Sequence, residues 1–220
     1  MGLEQLSDRL IRFAGGSTGL WRVLAIRTVQ GEGLPQVARV AVYRGDEPSL
    51  ESKWTLSGVV SNIRYVERPE QKELTSKQAS LGRSEATMAA LIPIRKTPSW
   101  WNLTQEERRN IFESKSHHIA EGIKYLPPVA RQLYHSRDIG EPFDFLTWFE
   151  YAPQHSEAFE EWFERFGKRR NGGLLIVKST SVWFEPDETI AYAMQEILLC
   201  YSEEIVGRNV NDKEGSILEH

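Results

Sequence analysis

Runs of β-prone residues broken by Gly and Pro, alternating with stretches of helical period, constrain this chain more than any other feature. Trp21 to Val29, Val37 to Tyr43 and Trp54 to Val66 are rich in branched and aromatic residues and read as antiparallel strands. Leu3, Leu6, Leu10 and Phe13 recur at helical spacing before Gly15-Gly16, which predicts a short amphipathic helix there. A polar segment around Lys72 to Gly82 follows the strands. The apolar run Leu91-Ile92-Pro93-Ile94 then carries a proline that suits a sheet edge or a strand end. Thr104-Gln105-Glu106-Glu107 has the form of a capping box, a hydroxyl at the cap and a carboxylate three residues on. A helix from there, carrying Ile111 and Phe112, is expected to persist through Ile119 to Tyr125 until Pro127-Pro128 stops it. Strands Arg131 to Arg137 and Phe143 to Tyr151 and a helix from His155 to about Arg165 complete a mainly antiparallel α+β arrangement.

The 220 residues suffice for one large domain or two small ones with a shared interface and a buried cofactor. Basic residues (27) and acidic residues (31) leave a net charge of −4, and the basic ones are scattered, which argues against nucleic-acid binding. A single cysteine, Cys200, excludes an intrachain disulfide or thiolate cluster. The start, Met1-Gly2-Leu3-Glu4-Gln5, lacks the basic region of a leader, and no apolar stretch reaches the roughly 18 residues that span a bilayer. A cytoplasmic protein without a membrane partner is the expectation.

Two residues stand out chemically. On a continuous helix His118 shares a stripe with Ile111 and Tyr125, whereas His117 lies over Glu113 and Glu121, so His118 is the inward one. A lone inward histidine is more often a hydrogen-bonded core residue than a ligand. Arg131 opens a strand, with Leu133 and His135 on its face by alternation. An unpaired arginine pointing inward is costly, so the plain alternative is a surface or salt-bridged residue. Its fork of permanent donors also suits holding a small oxyanion. His135 and His155 have no acidic or cysteine neighbours at metal-ligand spacing. Neither a Gly-rich phosphate loop nor a nucleophile elbow is present.

Ser116-His117-His118-Ile119 with the run from Tyr125-Leu126-Pro127-Pro128 through Val129-Ala130-Arg131-Gln132-Leu133-Tyr134-His135 resembles the haem-ligating segment of the chlorite dismutases. The resemblance extends from about Gly19 to Phe159 and is densest between Arg64 and Pro153. It implies two ferredoxin-like α+β halves, the first abbreviated as in the short, dimeric branch. Segments 1–90 and 91–165 would be the abbreviated half and the haem-binding half, and 166–220 a divergent tail. It implies haem b as cofactor, His118 as the iron ligand, and Arg131 as the distal arginine over the open face. Tyr65 and Lys96 match positions that contact the propionates. Ile92, Trp100 and Trp101 match pocket or propionate contacts, and Thr147 and Phe149 match wall positions. The implied reaction converts chlorite to chloride and dioxygen through ferryl haem and hypochlorite, in a homodimer. Relatives that decarboxylate coproporphyrin haem use a tyrosine where this chain has Arg131, which disfavours that activity; a non-catalytic haem-binding protein is the alternative from a different class.

The end of the chain departs from the family. A glutamate that supports the iron-bound imidazole is expected about forty residues beyond Arg131, where this chain has Arg170-Asn171. A back-translation of Phe166 to Trp183 that the genetic code permits reads, two bases along, as a family-like segment containing Thr-Glu-Glu-Trp. Continued through Asp187, it ends in a stop. A frameshift near Glu161 to Phe163 would account for a tail without ancestral role. A genuine C-terminal helix on the stripe Ile190, Met194, Ile197, Leu198, Tyr201 and Ile205 is the competing reading.

Overall fold

The structure, a computed structural model, describes residues 9–30, 33–45, 51–61, 66–111, 122–168 and 178–186. Leu3, Leu6, Tyr65, His117, His118, Arg170-Asn171 and the stripe from Ile190 to Ile205 lie outside the described residues. The strands are β1 (Leu10–Gly16), β2 (Trp21–Gln30), β3 (Arg39–Arg44), β4 (Ser52–Val60), β5 (Met88–Arg95), β6 (Val129–His135), β7 (Phe145–Tyr151) and β8 (Lys178–Pro186). The helices are α1 (Arg68–Lys77), α2 (Pro98–Trp101), α3 (Gln105–Asn110) and α4 (Ser156–Lys168).

The strands close into a barrel in the order β1-β3-β2-β8-β5-β7-β6-β4, with every neighbour antiparallel. Around the circle this is β4-β1-β3-β2 followed by β8-β5-β7-β6. Within each block the strands stand in the order fourth, first, third, second, which is the ferredoxin-like pattern repeated. In the second block helices cross between β5 and β6 and between β7 and β8. In the first, residues 17–20 alone join β1 to β2. Gly19 permits that short link: it sits at φ +130°, and a Cβ there would overlap the Val40 backbone. The chain therefore has the α+β fold with an abbreviated first half.

Three local expectations are corrected. Leu10 and Phe13 belong to strand β1, not to a helix, because pairing to β3 on one side and β4 on the other buries Ile11 and Phe13 at alternating positions. Pro93 lies inside β5, between β7 and β8, not at an edge; the β5–β8 pairing skips Ile92 and Pro93, so no ladder bond is lost. The polar segment after Lys72 belongs in part to helix α1, which has no buried residue and so no apolar stripe to reveal it. The capping box at Thr104 is present as expected. The Thr104 hydroxyl accepts from Glu107 N–H at 3.2 Å, and the Glu107 carboxylate accepts from Thr104 N–H at 2.7 Å.

Successive residues of β5, β6 and β7 point to opposite sides of the sheet. Ala89, Leu91, Tyr134, Leu146 and Trp148 point into the barrel and meet Phe13, Trp21, Trp54 and Leu56 in the main core. Ala90, Ile92, Val129, Phe149 and Tyr151 point outward, where α4 covers part of them with Phe159 and Trp162. Phe159 stacks on Tyr151, ring centres 4.6 Å apart, and meets Phe149 at 5.3 Å. Strand β8 lies inside the stretch read as a divergent tail, yet its backbone pairs with both β2 and β5 and closes the barrel.

Candidate active site

The outward face is ordered in rows by strand register. Ala90, Phe149 and Arg131 form one row across β5, β7 and β6. Ile92, Thr147 and Leu133 form the next, and Ile94, Phe145 and His135 the third. Paired residues of antiparallel strands project to the same side. Ile92, Arg131, Thr147 and Phe149, dispersed in sequence, thus share one wall about 10 Å across. Thr147 and Phe149 are buried, as is Ile92.

Among the described residues, Arg131 is the cation within these three rows. Burial lowers its pKa, yet among the described residues its guanidinium has no hydrogen-bond or ion-pair partner. Its side chain is half-buried. The backbone is held separately, with the Arg131 carbonyl accepting from Gln78 Nε2 at 2.8 Å. A buried guanidinium without a counter-ion is costly, and a bound anion would relieve that cost.

A second cationic group closes the far end of the wall, six residues and roughly 20 Å along β5 from Arg131's row. Lys96 is buried, with its ammonium 4.8 Å from the centre of the Trp100 ring. Burial pulls its pKa down to about 8 against the opposing charge of Asp144. Asp144 also accepts from Lys96 N–H at 2.5 Å and from Arg137 at 3.2 Å. Thr97 caps α2 by accepting from Trp100 N–H, which turns Trp100 fully into the protein. Trp101 stacks on Phe145, and both Arg108 (4.8 Å) and Arg137 (4.1 Å) lie over its ring. Its indole N–H is buried without a partner among the described residues.

Lys96, Trp100 and Trp101 therefore gather at one end of the wall that Ile92, Arg131, Thr147 and Phe149 build. Tyr65 and His118 fall outside the described residues. His135 is packed between Trp101 and Phe145, 3.4 Å from the Asp138 carboxylate, and His155 sits at the start of α4. Alternation had placed Leu133 on the Arg131 face, but sequence reasoning passed over Ala90, which completes a row, and Asp144, which ties Lys96 and Arg137 together. Only the non-local register brings these forward.

The fold is a barrel of two ferredoxin-like halves, with an outer wall that sets apolar side chains beside the cations Arg131 and Lys96. The chain belongs to the chlorite dismutase family, whose sequence profile matches residues 38–160. It is 51% identical to the dimeric chlorite dismutase of Nitrobacter winogradskyi, whose crystal structure superposes with a TM-score of 0.74 over 80% of this chain and 99% of that one. It is 31% identical over 98 residues to the chlorite dismutase of Ideonella dechloratans, covering 44% of this chain and 33% of that protein. The matched part thus spans about a third of that curated relative's length. A chlorite dismutase variant from Candidatus Nitrospira defluvii, at 19% identity and a TM-score of 0.58, shares the fold.

Proposed function

We propose that this protein is a haem b enzyme that decomposes chlorite to chloride and dioxygen. The observation that carries the reading is Arg131: a half-buried, permanently charged guanidinium without a partner among the described residues, on a wall of apolar side chains. The residues fit a haem. Ile92, Thr147 and Phe149 offer a flat apolar surface to a macrocycle, and the cations and indole N–H groups around Lys96 and Trp101 suit its carboxylates. Tyr65 would join Lys96 at the propionates, and His118 would ligate the iron.

Haem, when bound, would supply the redox chemistry of the conversion. The protein's own residues do the rest. Arg131 attracts and orients the chlorite anion through its planar donor fork, and its guanidinium keeps its proton throughout. The same charge would keep hypochlorite within the site. The apolar wall keeps water away, which strengthens that attraction. The overall conversion, ClO2⁻ to Cl⁻ and O2, neither consumes nor releases a proton, in keeping with a site whose cation does not titrate. The proposed assembly is a homodimer, the state of the Nitrobacter relative.

Haem titration followed by an oxygen electrode tests the reading. A Soret band that saturates at one haem per chain, with oxygen released on adding chlorite, is expected. A Soret band without oxygen would favour a haem-binding role without catalysis. That second reading draws on the C-terminal departure at Arg170-Asn171, where the sequence carries no glutamate at the position expected to support the iron ligand. Restoring the alternative frame from about residue 163 is expected to tighten haem binding about tenfold, as losses of such supporting groups cost.

A further inference from the structure

Helix α1 is fastened to the molecule in an unusual way. None of its residues is buried, so apolar packing does not hold it. Its first turn is gripped by Arg109 of α3. The Arg109 fork donates to both Glu70 oxygens at 3.0 and 2.9 Å, and its Nε donates to Glu67 at 2.9 Å. Burial pushes the Glu70 carboxyl up, but the hydrogen bonds from Arg109 and from Glu67 N–H outweigh it and hold its pKa below the usual range. The hydrogen bond from Glu70 likewise raises the pKa of Arg109.

The other end of α1 reaches the candidate site. Gln78, its C-cap, donates to the carbonyl of Arg131. The chain just beyond is pinned twice more. Gly82 N–H donates to the buried Glu150 carboxylate at 2.5 Å, and Arg83 donates to the Pro128 carbonyl at 3.0 Å, three residues before Arg131. One polar segment, residues 67–83, therefore links α3, which leads toward the His118 segment, to the start of β6, which carries Arg131.

We infer that α1 is a strap that holds Arg131 in place from outside, and that Arg109 is a positioning residue whose clamp on Glu67 and Glu70 sets how tightly the site holds its anion. The inference rests on the reading of Arg131 as the anion-binding group. Charged bonds at a surface as partly exposed as this are individually weak, so the strap is the part of the wall easiest to release. Releasing it removes the Gln78 contact and lets the first residues of β6 shift, which misplaces a fork whose worth depends on geometry.

Arg109→Ala and Arg109→Lys, beside the wild type, test this with two readouts. Amide hydrogen exchange on the haem-free proteins is expected to rise roughly five- to tenfold across residues 68–83 in Arg109→Ala, and less in Arg109→Lys, whose ammonium cannot fork. In the haem-loaded proteins the KM for chlorite is expected to rise by a similar factor, with kcat and haem content changing less than twofold. Unchanged exchange in Arg109→Ala overturns the strap. Raised exchange with unchanged KM overturns its role at the anion site. A wild type that takes up haem but releases no oxygen rejects the enzyme reading instead, and the exchange comparison still decides whether Arg109 holds the strap.

Discussion

The two faces of the β5-β7-β6 sheet are built from the same strands, one residue out of step, yet they do different work. The inner face is aromatic and interlocked: Phe13 meets Tyr134 edge to face at 5.5 Å and Trp148 at 5.4 Å, and Trp148 meets Trp21 at 5.3 Å. Its buried acid, Glu150, accepts from both Trp148 Nε1 and Gly82 N–H, although burial still pushes its pKa up. The outer face mixes apolar residues with the half-buried cation Arg131 and the buried Lys96. A core has no use for such charges, because hydrophobic residues of similar volume would serve stability as well or better. The inner face explains why the barrel holds together, and the outer face is the one proposed to act.

Substitutions that separate the two faces sharpen this contrast. The largest effect is expected from Trp148→Ala on the inner face. It empties a site at the centre of the core and removes one donor from Glu150, and should cost about 4 kcal/mol of stability by denaturant unfolding. Arg131→Ala on the outer face should lower oxygen release from chlorite about a hundredfold, with stability unchanged or slightly raised and haem uptake retained. Equal loss of haem and activity in that variant would make Arg131 structural and erase the contrast.

Lys96 gives a smaller, pH-dependent effect. Its folded pKa of about 8 lies below the ordinary lysine value near 10.4, so the buried charge opposes folding fully below about pH 8 and ceases to do so as pH rises past about 10.4. Lys96→Met should therefore raise haem-free stability on the order of 1–3 kcal/mol at pH 7. That advantage should shrink toward pH 10, read from unfolding midpoints of the two proteins at each pH. The smallest effect concerns Glu70, whose pKa is held below the usual range. Its contribution should be complete above the ordinary carboxylate value of about 4.3 and fade as pH falls through the depressed one. Glu70→Gln should differ from wild type in unfolding midpoint near neutrality and converge with it in acid.

Strands β2 to β7, the capping box at Thr104 and the helix over α4 were legible in the sequence because alternation, capping and period are local signals, whereas β8 lies in the stretch read as a divergent tail. Helix α1 was not, since a helix held by ion pairs at one end and a backbone contact at the other shows no apolar stripe. Strand β1 was misread because Leu10 and Phe13 fit a helical spacing, while the pairing of Ile11 and Phe13 to β3 and β4 decides the outcome. At the candidate site, the chemistry of Arg131 could be argued from its residue type. Its neighbours Phe149, Ala90 and Gln78 depend on strand register and on a helix distant in sequence. The roles of Tyr65 and His118 rest on family resemblance.

The most direct measurement is oxygen release from chlorite by wild type and Arg131→Ala, each loaded with haem and matched by Soret absorbance. Rapid release by the wild type, close to one O2 per chlorite, with near-silence from Arg131→Ala at the same haem content, is the expected result. Comparable rates from both proteins would contradict the assignment of Arg131 as the group that holds the anion over the haem.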